Sequence, residues 1–108
     1  MDRSAFQPVR IGVVGLGHFG RQHALTLAGL AEATLVALVA RRQASLDAVR
    51  DRLPDVPGWL ELAQAIAESG AEAWVVASST ASHVPVAKVL LAAGKTVLLE
   101  KPVSTDLV

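Results

Sequence analysis

Short apolar runs along this chain alternate with stretches in which apolar residues recur three and four apart. Val9 to Val14 reads as a buried strand, and Phe19 through Leu30 as a helix with Ala24, Leu27, Ala28 and Ala31 on one stripe. The run Thr34-Leu35-Val36-Ala37-Leu38-Val39 predicts a second strand. Leu46, Val49 and Leu53, at i, i+3 and i+7, predict a helix that Pro54 and Pro57 terminate. A brief strand within Val56 to Leu60 is only weakly signalled, and a further helix is expected over Leu60 to Glu68, stopping at Ser69-Gly70. Ala73 to Ala77 is the next strand. Ser82 then reads as the N-cap of a helix with Pro85 in its first turn, Val86, Val89, Leu90 and Ala93 on its apolar stripe, and Gly94 closing it. Thr96 to Leu99 is the last strand. Such alternation implies right-handed crossovers and an α/β fold with a doubly wound parallel sheet in a single domain.

Composition agrees with that order of elements. The 108 residues suffice for one core, and 52% of them are hydrophobic, which suits parallel strands covered on both faces. Ten basic residues balance ten acidic ones, so the chain has no overall electrostatic footprint for nucleic acid or an anionic membrane. It contains no cysteine. Disulfides and thiolate metal sites are therefore excluded, and a reducing cytoplasm is the expected location. No apolar signal segment is visible in Met1 to Val9. The apolar stretch Ala24 to Ala40 is interrupted by Gly29 and Glu32 and changes period midway, so it reads as helix, turn and strand rather than a membrane span.

The chemistry concentrates where the first strand meets the first helix. Gly15-Leu16-Gly17-His18-Phe19-Gly20 has the spacing G-x-G-x-x-G. In that spacing Gly15 allows the tight turn, Gly17 lets a pyrophosphate approach bare backbone, and Gly20 lets the helix pack against the strand. The helix N-terminus offers unpaired N–H groups to phosphate, and His18 borders that position while His23 reads as an ordinary helix residue. Glycines also collect in ordinary turns, so the context of strand and helix carries the reading. Ser78, Ser79 and Thr80 follow the Ala73 to Ala77 strand, placed either to contact a cofactor diphosphate and ribose or to cap the next helix. Three scattered histidines make no metal site, and a G-x-S-x-G nucleophile elbow is absent. Trp59 and Trp74 read as core or edge aromatics.

Together the glycine loop, Ala77-Ser78-Ser79-Thr80-Ala81-Ser82-His83, and the ending Ala93-Gly94-Lys95-Thr96-Val97-Leu98-Leu99-Glu100-Lys101-Pro102 resemble the glucose-fructose oxidoreductase and inositol dehydrogenase (Gfo/Idh/MocA) family, from about Val9 to Val108. The resemblance implies a Rossmann domain binding a nicotinamide dinucleotide, truncated before the substrate domain that longer members carry. It implies that Lys101 assists proton transfer beside the nicotinamide, that Glu100 contacts the nicotinamide ribose, and that His83 orients its turn; the alternatives are an exposed lysine at a strand end and a histidine that only packs locally. A proline is commoner in the family at Ser79. Where the family usually has Asp at the end of the second strand, this chain has Ala40, followed by Arg41 and Arg42. An acid there would repel a 2′-phosphate, whereas guanidinium groups bind phosphate bidentately, so NADP is expected ahead of NAD. The alternative is that both arginines only solvate a helix start.

Two functions follow as expectations. One is the cofactor half of an oxidoreductase that moves hydride between NADP(H) and a sugar, polyol or related alcohol or carbonyl substrate, inactive without the rest. The other is a non-catalytic dinucleotide- or CoA-binding regulatory module. Glu100-Lys101-Pro102 favours the first, since a sensor needs no proton-transfer lysine. Cutting the fold at Val108 is also expected to bare a strand edge and promote self-association.

Overall fold

The computed structural model of the chain describes residues 8–77 and 80–99. Among the described residues five strands and four helices alternate: β1 (Val9–Val14), α1 (His18–Ala28), β2 (Ala33–Val39), α2 (Gln43–Arg50), β3 (Gly58–Trp59), α3 (Leu62–Ser69), β4 (Ala73–Val76), α4 (Thr80–Ala92) and β5 (Thr96–Leu99). All strand pairs are parallel, in the order β3-β2-β1-β4-β5. The chain winds outward from β1 through β2 to β3, then crosses to β4 and winds the other way. β1 and β4 therefore flank the switch point, beyond whose carboxyl ends such sheets bind ligands.

The weakly signalled strand is β3, at the sheet edge. Leu38 N–H donates to the Pro57 carbonyl and Ala40 N–H to the Trp59 carbonyl, both at 3.1 Å.

Each face of the sheet has its own core. Ile11, Val13, Leu35, Leu38, Ala73 and Val75 meet Ala24 of α1 with Leu46 and Val49 of α2. Val14, Ala37, Val39, Trp74 and Val76 meet Ala65 of α3 and Leu90 of α4. Leu35 and Leu38 share a face although three residues apart, against the alternation of a regular strand. The register explains this: Ile11 pairs with Leu35 but Gly12 with Ala37, so Val36 is an extra residue bulging from β2.

Trp74 is fully buried in the second core and lies in register with Gly12. A Cβ on Gly12 would sit 2.5 Å from Cε3 of the indole, so the missing side chain on β1 is the room that the ring occupies. Among the described residues the Trp74 indole nitrogen has no hydrogen-bond partner.

Local expectations change at helix ends. Ala31 lies beyond α1 and Ala28 is exposed, leaving Ala24 and the half-buried Leu27 as the inward positions. α2 ends at Arg50, with buried Leu53 in the turn that follows, and α3 starts at Leu62 rather than Leu60. α4 begins at Thr80, so Ser82 lies inside the helix rather than capping it. Pro85 falls beyond the first turn, where its missing N–H removes a helical bond. Val89 is exposed and Ala93 lies outside α4, and among the described side chains of this helix Val86 and Leu90 pack into the second core.

Candidate functional site

The turn leaving β1 is built to keep backbone in a narrow space. Gly15 has φ 95°, a conformation that L side chains rarely adopt, and its N–H donates to the Val39 carbonyl at 2.8 Å. On the other side Ala77 N–H donates to the Val14 carbonyl at 2.8 Å, so the end of β1 is braced by both neighbours. A Cβ on Gly20 would be driven into the Gly15 carbonyl, within 2.8 Å of its carbon. Gly20 is thus the close-packing point between α1 and the turn. Gly17 differs: it is the N-cap of α1 with φ −74°, and a Cβ there would meet nothing within 4 Å. Its backbone borders open space at the positive end of the helix, the kind of position at which helices bind anions.

That space belongs to a cleft of about 680 Å³ along the carboxyl ends of β1, β2 and β3. Val14, Gly15, Leu16 and Gly17 form one side. Val39, Ala40, Arg41, Arg42 and Ser45 form the second, and Leu60, Leu62 and Val86 close the third. Among these lining residues the charged ones are Arg41 and Arg42, both exposed, while Ala40 is buried with no acid in its place. Arg42 is also the N-cap of α2.

Of the residues singled out in the sequence, Gly15, Leu16, Gly17, Arg41 and Arg42 come together around this cleft, and Gly20 packs behind them. His18 and Phe19 open α1, and Thr80 and His83 lie in the first turn of α4. Ser78, Ser79, Glu100 and Lys101 lie outside the described residues.

The wall from Leu60 and Leu62 has no counterpart among those residues. Its signal is a pair of leucines two apart just past the weak strand, hidden by assigning Leu60 to a helix. Behind the wall the Trp59 indole N–H donates to Glu68 Oε1 at 2.9 Å, and Gln64 Nε2 donates to Glu68 Oε2 at 3.2 Å. The indole hydrogen bond first, and the Gln64 amide second, hold the Glu68 carboxyl below its usual range, with slight desolvation acting against them.

A parallel doubly wound sheet, a glycine turn closed by Gly20 and a cleft with open space above Gly17 define a dinucleotide-binding Rossmann domain. Residues 9–108 match the profile of the Gfo/Idh/MocA oxidoreductase family, NAD-binding Rossmann fold. The chain belongs to that family.

It is 40% identical over 99 residues to inositol 2-dehydrogenase of Agrobacterium fabrum, covering 90% of this chain and 30% of that protein. Among solved structures, GenD2 from gentamicin A biosynthesis, in complex with NAD, superposes with a TM-score of 0.82 at 31% identity, covering 89% of this chain and 27% of that one. Biliverdin reductase of Synechocystis, in complex with biliverdin and NADP+, gives 0.80 at 27% identity over 89% of this chain and 30% of its own. The chain thus spans about 30% of the length of the curated relatives it matches.

Proposed function

We propose that residues 1–108 are the NADP(H)-holding domain of an oxidoreductase acting on a sugar, polyol or related alcohol or carbonyl compound. The observation that carries the dinucleotide reading is the open space over Gly17, at the N-terminus of α1 and the switch point of the sheet. The polyol reading is supported by the similarity to an inositol 2-dehydrogenase. The bound dinucleotide supplies hydride chemistry, while the chain supplies its cradle and, by the family resemblance, a proton-transferring Lys101 with Glu100, Ser78, Ser79, Thr80 and His83 along the cofactor. The absence of cysteine supports a cytoplasmic setting, and among the described residues no helix is long and apolar enough to cross a membrane.

Preference for NADP rests on buried Ala40 where an acid would repel the 2′-phosphate, with Arg41 and Arg42 beside it on the cleft. Titration of NADP and NAD at equal ionic strength should find NADP tighter, and equal or reversed affinities would remove the preference. Arg41→Ala should weaken NADP by about 1–3 kcal/mol, the scale of a charge-assisted hydrogen bond, and leave NAD nearly unchanged.

We also propose that the domain self-associates through β5. That strand is an edge of the described sheet, Leu98 and Leu91 are 50% and 61% exposed beside it, and a formal net charge of zero gives little repulsion between copies. Sedimentation across a concentration series should show a rising average mass, and a sugar and polyol panel should show no turnover by these residues alone. A monomer at every concentration, or measurable NADP reduction, would overturn the corresponding part.

A further inference from the structure

Trp59 makes two connections that meet at the cleft. Its carbonyl accepts the Ala40 N–H at 3.1 Å, fixing the last peptide of β2 just before Arg41 and Arg42. Its indole N–H is held by Glu68, whose other carboxylate oxygen takes the Gln64 amide. Glu68 stands in the last turn of α3, where the helix dipole disfavours a negative charge, so its place there is accounted for by the two donors it accepts. Between these connections run Leu60 and Leu62, the cleft wall facing Arg41 and Arg42. β3 is two residues long and lies at the sheet edge, too short to hold that wall by its ladder alone.

We infer that Trp59 and Glu68 are positioning residues for the adenosine end of the cleft: the pair joins α3 to the end of β2 and sets the distance between the leucine wall and the two arginines. The inference rests on the dinucleotide reading. Glu68 is exposed, so solvent weakens the pair, but an N–H to a carboxylate remains among the stronger hydrogen bonds available there.

The test uses the full chain with adenosine 2′,5′-bisphosphate and nicotinamide mononucleotide as probes of the two ends. Trp59→Phe keeps the aromatic body and loses the donor, Glu68→Ala loses the acceptor, and Glu68→Gln keeps an acceptor oxygen. The first two should each weaken the bisphosphate about three- to tenfold and combine without further loss, while the mononucleotide changes little. Glu68→Gln should recover most of the affinity. Hydrogen exchange at the Ala40 amide should speed up in step with the lost affinity. Equal losses on both probes, losses that follow thermal stability alone, or unchanged exchange and affinity would overturn the inference. A wild-type chain that binds neither probe would instead sink the dinucleotide reading, and Ala40 exchange in the Trp59→Phe and Glu68→Ala chains would still decide whether the pair holds the end of β2.

Discussion

Gly17→Val should lose dinucleotide binding while the domain stays folded. At φ −74° the backbone accepts any residue, and the new side chain meets nothing within 4 Å at its root, so the fold has no reason to move. The poorer N-cap costs no more than about 1 kcal/mol of stability. On the proposed function the branched side chain would fill the space that a pyrophosphate needs, and loss of charge-assisted hydrogen bonds at the α1 N-terminus should weaken binding by at least about a hundredfold. Calorimetric titration paired with thermal unfolding checks both halves. Retained affinity in a folded Gly17→Val protein would mean that the glycine loop only makes a turn.

Gly12→Ala should be the reverse case, a substitution outside the cleft lining that damages the fold. Its Cβ would lie 2.5 Å from Cε3 and 2.8 Å from Cη2 of the Trp74 indole, and Trp74 is fully buried in the second core. Overpacking of this kind costs about 1–3 kcal/mol, a large share of a small domain's stability. Trp74→Leu in the same chain should recover part of the loss, because the shorter side chain vacates the atoms that clash. Chemical denaturation of the single and double variants measures this, and additive losses in the double variant would show that the two residues do not compete for the same space.

The class of fold is legible in the sequence because parallel strands buried on both faces read as continuous apolar runs, and β4 and the Ile11 to Val14 half of β1 are such runs, separated by stretches of helical spacing, while Val9 and Arg10 at the start of β1 are exposed. β3 is barely visible: two residues at a sheet edge carry almost no periodic signal, and the Gly58-Trp59 pair is defined by backbone bonds to β2 instead. The facing of β2 is hidden by the bulge at Val36, since a strict period of two would put Leu35 and Leu38 on opposite sides.

At the site, Gly15, Gly17 and Gly20 are legible because each answers a local steric demand. Arg41 and Arg42 are found by counting along from a strand end. The Leu60 and Leu62 wall and the Trp59 to Glu68 bond escape such reading, because they depend on how α3 packs over the second core as the chain crosses from β3 to β4.

Trp74 and Trp59 have a consequence for how this protein is observed. The chain has two tryptophans and no tyrosine, so these two indoles supply its near-ultraviolet emission. One, Trp74, is buried in apolar surroundings with no partner for its nitrogen among the described residues, and such an indole emits at the blue end of the range. The other is half-buried with its nitrogen bonded to a carboxylate, and emits further to the red. The two indoles should therefore report separately: the buried Trp74 emission should shift to the red when the core opens, while the Trp59 emission should follow its bond to Glu68, next to Leu60 of the cleft lining.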